Sequence, residues 1–447
     1  MIERSRIIAS LSLLLGSFGC DGGSDSAPGN DGGSAAGVSS GGAGAGGGAG
    51  AGGSTGGTSA GSAGAAGNAG SGGVAAAGAA GAGMGGTGLG GAGAGGLAGS
   101  GGSAAGMAGA GHSWDGCEEF ALPPDCTIPD GAVLPGELRC TGLYSNFQSR
   151  TLRCGVTAYE PAHELWADGA GKQRYVWLPP GQTIDVSSGN DFDYPVGTRF
   201  WKEFYVGPEG SQTLGETRYL LRADVGWLYT VYVWDQAGTT ATQNNEGVED
   251  LFATGHTVPS REQCKTCHMG RTNFILGWDF IMLGEGATGV TARGLAEAGR
   301  FRGLDPAFLE LSVPGDEVEQ KALAYLHANC GVSCHNTTVD ATANPSGLYL
   351  RLEVGSLDSP HSTNAVNAIN QLPGPNAKLG GLPEVMYYDF RPGDPARSLV
   401  FARMSHRGSD TAMPPLGTHD VDPAGVAAVE AWIESMTEAR GYPAPAP

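Results

Sequence analysis

The chain has 447 residues, 79 of them glycine, and 40 of those glycines fall between positions 21 and 112. Residues 113–447 carry 41 carboxylates against 23 cations, an acidic balance that repels phosphate backbones and excludes general nucleic-acid binding. Past the N-terminus no run of 18 or more apolar residues exists, which excludes a spanning helix.

Residues 1–20 read as an export signal. Arg4 and Arg6 precede the apolar run 7–15, and small residues lead to Cys20. The stretch Leu15-Gly16-Ser17-Phe18-Gly19-Cys20 resembles a bacterial lipobox, which implies a lipid anchor on Cys20 and a periplasmic, outer-membrane or cell-surface protein. Ordinary cleavage near Gly19 is the alternative, and it too delivers the chain out of the cytoplasm. Residues 21–112 hold only three charges, Asp21, Asp25 and Asp31. Gly, Ala and Ser cannot bury enough surface to offset the entropy of ordering, so this tract is expected to be a disordered linker. Its ends would lie about 50 Å apart as a random chain. No strict Gly-X-Y period is kept, which excludes collagen.

Residues 113–250 are expected to form a β-rich domain with disulfides. Cys117, Cys126, Cys140 and Cys154 are an even set in an oxidising compartment, predicting two bridges whose pairing stays open among three connectivities. The stretches 174–178, 198–206, 217–222 and 227–234 are rich in Tyr, Trp, Val and Thr and read as strands, the last two as a hairpin across Ala223-Asp224-Val225-Gly226. Tyr229, Val231 and Val233 fall on one face, Leu228, Tyr232 and Trp234 on the other. Short strands between regular turns predict an antiparallel sandwich. The run Asn190-Asp191-Phe192-Asp193 offers hard oxygens for calcium without a full ligand set.

The segment 251–315 contains Cys264-Lys265-Thr266-Cys267-His268, the attachment signature of c-type haem. Two thiols add across the porphyrin vinyls, and the adjacent imidazole reaches the iron from one side. Ser260 with Gln263 matches a capping box opening a short helix at Arg261. No distal ligand is evident. His256, His163, Met282 and His327 are available, and each reads better as structural.

Cys330-Gly331-Val332-Ser333-Cys334-His335 has one more residue between its thiols. Asp316 can cap a helix running to about Asn329, with Ala322, Leu323, Tyr325 and Leu326 on its apolar face. Met413-Pro414-Pro415 follows far downstream. Asp422-Pro423 then opens a last helix bearing Val426, Val429, Ile433 and Met436. This order resembles a class I cytochrome c domain over residues 316–437, with 438–447 as a tail. The resemblance implies that Cys330 and Cys334 bind haem, that His335 is the proximal ligand and that Met413 is the distal one. Met404, at helix spacing with Leu399 and Val400, reads as core.

From about residue 156 the chain is also similar to a family of secreted bacterial di-haem proteins. These place a β-rich domain before a Cys-x-x-Cys-His segment and end in a cytochrome-like domain. The matching stretches are Leu165-Trp166-Ala167-Asp168-Gly169-Ala170 with Lys172 and Arg174, Tyr194-Pro195-Val196-Gly197-Thr198, Glu216-Thr217-Arg218, and Pro259-Ser260-Arg261-Glu262-Gln263-Cys264. The resemblance implies two haem c groups, export and electron transfer. The expectation is therefore an α+β multidomain protein: a disordered linker, a β-sandwich-like domain, then an all-α cytochrome c-like domain. It would carry electrons without bond chemistry, and its redox partner would present a basic docking face. Two alternatives stand beside this: a peroxidase-like haem enzyme with an open first site, and a haem-free module whose late cysteines bind zinc or oxidise to disulfides.

Overall fold

Aromatic and β-branched residues lay down the sheet first. In the computed structural model, which describes residue 117, residues 122–126 and residues 133–447, ten strands run in chain order. They are β1 (Tyr144–Asn146), β2 (Thr151–Leu152), β3 (Thr157–Tyr159), β4 (Gly171–Trp177), β5 (Ile184–Asp185), β6 (Arg199–Val206), β7 (Thr213–Ala223), β8 (Gly226–Trp234), β9 (Ala241–Asn244) and β10 (Phe301–Arg302). Six of them form one antiparallel sheet in the order β3-β4-β6-β7-β8-β9. β7 and β8 close the expected hairpin with Ala223 opposite Gly226, whose φ of 119° a side chain would resist. The signal with Cys20 and the linker over 21–112 lie outside the described residues.

The expected sandwich is corrected. Among the described residues one six-stranded sheet, with two small two-stranded ones, stands where a sandwich was predicted, and short elements and loops cover both its faces. Near-continuous apolar runs make both faces apolar but do not say what buries them. On one face Trp177, Trp201, Tyr232 and Trp234 pack on Leu138, Leu143 and Tyr144 from the segment before β3. On the other, Val176 and Phe200 pack on Trp278, Phe280, Leu283 and Leu295. β10 pairs in parallel with β5 in a separate two-stranded sheet, which ties the segment after the first thiol pair to the chain between β4 and β6. Cys117 and Cys154 stand with Cα atoms 5.6 Å apart, and Cys126 and Cys140 5.3 Å apart, both within disulfide reach.

Five α-helices follow: α1 (Arg261–His268), α2 (Ala292–Glu297), α3 (Glu317–Leu326), α4 (Leu399–Met404) and α5 (Pro423–Ser435). Asp316 caps α3 through the amides of Val318 and Glu319, and Asp422 caps α5 with Pro423 in the first turn. Leu323 and Leu326 of α3 meet Trp432 and Ile433 of α5 around Phe390. Between α3 and α4 the chain is rich in Pro, Gly and Asn and keeps no helical apolar period, so it runs in turns. The described chain is mixed α/β, mostly antiparallel sheet with few helices.

The oxygens at Asn190 and Asp191, which fell short of a full calcium ligand set, are engaged by arginines. Asp191 Oδ1 lies 3.1 Å from Arg271 and 3.1 Å from Arg351, and both guanidiniums donate to the carbonyl of Asn190. Two buried cations already occupy the oxygens that a metal would need.

Candidate cofactor site

The first thiol pair is placed by α1. Gln263 N–H donates to Ser260 Oγ at 3.3 Å and Ser260 N–H donates to Gln263 Oε1 at 2.8 Å, the reciprocal cap expected. Within eight residues the helix carries Cys264, Cys267 and His268 at spacings of three and four.

The second pair is carried on a wider turn. α3 passes into a π turn over His327–Gly331, where Val332 N–H donates to His327 O at 2.8 Å. His335 N–H donates to Cys330 O at 2.8 Å, again across five residues. Each such turn takes in one residue more than an α turn. Cys330, Cys334 and His335, spaced four and five, can therefore stand as Cys264, Cys267 and His268 do at three and four. The extra residue is absorbed by the backbone.

Both sets open on one cavity of about 690 Å³, lined chiefly by apolar side chains. It is lined by Cys264, Cys267, His268, Cys330, Cys334, His335 and Met413 together, so every expected haem-site residue converges there. The two motifs touch. A Cβ on Gly270 would stand 1.6 Å from the carbonyl oxygen of Ser333, so only glycine allows this approach. Thr342 Oγ1 donates to Thr266 O at 3.0 Å, and the Cys267 and Cys334 thiols lie against each other. Among the described residues, no three His, Cys, Asp or Glu side chains converge on a bare ion. An iron within a porphyrin needs only one or two protein ligands.

The imidazoles suit such an iron. His268 Nδ1 donates to the Phe274 carbonyl at 2.7 Å and His335 Nδ1 to the Leu348 carbonyl at 3.2 Å. A carbonyl can only accept, so Nδ1 carries the proton and Nε2 keeps the lone pair that binds metal. Burial holds both rings neutral, down to about 4. Thiol pairs, oriented imidazoles and an apolar cavity fit a c-type haem at each motif.

Met413 lines the cavity on an extended loop, its N–H donating to Arg403 O at 3.0 Å and its carbonyl accepting from Arg407 at 2.6 Å. Met404 belongs to the core around Phe390 and also borders the cavity. Of the first-site candidates, His327 is consumed elsewhere: Nδ1 accepts from Leu352 N–H at 3.0 Å and Nε2 lies 3.3 Å from Asp279. His256 Nε2 bonds Glu216 Oε1 at 2.8 Å. His163 and Met282 line the cavity, with burial lowering the His163 pKa.

Several contributors were not read from the sequence. Asp168 accepts from His419 N–H at 2.7 Å and Asp420 N–H at 3.0 Å, and Trp166 N–H donates to Asn329 Oδ1 at 2.7 Å. The loop before β4 thus clamps both the helix leading to the second thiol pair and the chain just after Met413. Asp389 also faces the cavity, its carboxyl pushed up to about 6 by burial. No protein-family model, curated protein or solved structure matches the chain.

Proposed function

We propose that this is an exported c-type cytochrome with two covalently held haems, carrying electrons between partner proteins outside the cytoplasm. One observation carries the reading: two thiol pairs, 63 positions apart in sequence, open on a single apolar cavity, each with an imidazole whose Nδ1 is tied to a backbone carbonyl. Cys264, Cys267, Cys330 and Cys334 would form thioethers, and His268, His335 and Met413 would be axial ligands. Haem c supplies reversible one-electron exchange between ferric and ferrous iron.

The chain's own residues have four tasks. Backbone carbonyls of Phe274 and Leu348 fix the imidazole tautomers and raise their basicity. The Arg403 carbonyl and Arg407 hold the backbone on which Met413 is presented. Met413 and His335, if they held one iron together, would favour its reduced form and raise the potential. The apolar lining keeps water away and limits the reorganisation that accompanies a change of charge. Anchoring by Cys20 and reach by the glycine-rich tract belong to the same proposal, as do disulfides between Cys117 and Cys154 and between Cys126 and Cys140.

The test is expression in a bacterium with haem-attachment machinery, followed by a pyridine haemochrome assay and iron analysis. Two haems per chain are expected. An iron-free, colourless protein, or one containing zinc, overturns the reading.

A further inference from the structure

Three cations stand side by side on the sheet face that looks into the cavity. In the register of the sheet Arg174 of β4 lies opposite Lys202 of β6, and Lys202 lies opposite Arg218 of β7. All three line the cavity. Like charges directly opposite on adjacent strands repel, so such a row needs compensating anions.

The two outer members have theirs. Arg174 lies 3.0 Å from Glu164, and Arg218 lies 2.7 Å from Glu216, which also bonds His256. Lys202 has none: it makes no hydrogen bond or ion pair among the described residues, and its recorded contact is the Phe204 ring, 4.7 Å from the ammonium. Burial and the neighbouring Arg174, Lys172 and Arg218 charges push its pKa well below the usual lysine range. Both Lys202 and Arg218 act electrostatically on His268, and Arg218 on Cys264 and Cys267. Lys202 thus lines, without an anionic partner, the same cavity as Cys264, Cys267 and His268.

We propose that Lys202, flanked by Arg174 and Arg218, binds a carboxylate of the ligand held at Cys264, Cys267 and His268; resting on the haem reading above, that carboxylate is a propionate of the first haem. The sheet then has a function beyond scaffolding: it supplies the positive floor of the first site. Lys202 is a positioning residue, acting on the iron through the charge it compensates. Lys172, Arg174, Glu216 and Arg218 share this sheet face, and Glu164 and Glu216 neutralise the edges of the floor.

The test compares holoprotein carrying Lys202→Met or Lys202→Arg with the wild type, each matured with haem. Haem per chain is counted, midpoint potentials are titrated, and propionate bending bands are read by resonance Raman. The expected result is an unchanged haem count and coordination in Lys202→Met, one of two midpoint potentials shifted downward, and a shifted propionate band, all restored in Lys202→Arg. Unaltered potentials and propionate bands in Lys202→Met overturn the proposal. So does loss of a six-coordinate signature at one haem, which would make the amine an iron ligand. Absence of haem from the wild type removes the functional reading itself, and this proposal with it.

Discussion

Asp389 shows what a single buried carboxyl does to this fold. Its proton is held up to about 6, whereas an unfolded aspartate loses it near 3.8. The folded state therefore binds the extra proton between those values, and its contribution to stability is full below 3.8 and lost as pH rises through 6. Asp389→Asn should be more stable than wild type at pH 7 by about 1–3 kcal/mol, and should lack that decline between pH 4 and 7, measured by thermal unfolding. Met413 and Met404 can be separated in the same way. Met413→Ala should lower one midpoint potential in a redox titration, whereas Met404→Leu, a swap within the core, should leave both potentials in place. The cysteines, their histidines and Met413 stand out in the sequence because the proposed covalent attachment and iron ligation would demand fixed residue types in a fixed order, and the fold brings them to one cavity. Lys202 and Asp389 do not, since what distinguishes them is the company that tertiary folding gives them.

At the scale of elements, the approach of the two thiol segments is the most demanding contact. Gly270→Ala must displace backbone, not a flexible side chain, and is expected to cost about 1–3 kcal/mol or more in unfolding experiments and to reduce haem content. Gly380→Ala, whose added methyl meets nothing within 4 Å, is the control and should change neither. Helix starts were readable to the residue at Arg261, Glu317 and Pro423 because their caps are local chemistry. The four strands were readable from alternation. The sandwich was not, because cover for the second face comes from loops around Trp278 and Phe280 that carry no strand period. The π turn was equally hidden: an added residue between thiols is visible in sequence, but the i+5 bonds that absorb it are not.

At the scale of the molecule, the boundaries expected at 250 and 315 run through shared cores. Tyr159, Trp278 and Leu295 pack in one, and Ile281 joins Leu323 and Trp432 in another, and the described residues cluster as one unit. Apolar runs reveal that something is buried, not which distant run buries it. The net charge of −20 was legible outright. It predicts that electron exchange with a basic redox protein slows several-fold as ionic strength rises from about 0.01 to 0.15 M, where the screening length shrinks from about 30 to 8 Å. Rates that ignore salt in stopped-flow mixing would remove electrostatic docking from the account.

The contact between Cys267 and Cys334 has a consequence for biogenesis. Of the pair, Cys334 is the more acidic thiol, its contact with Cys267 lowering its pKa. In an oxidising compartment a bridge between these sulfurs would spend one thiol from each set and close both to the tetrapyrrole at once. On the proposed haem reading, attachment would have to overtake this oxidation, and the chain would meet its maturation enzymes with both thiols still reduced.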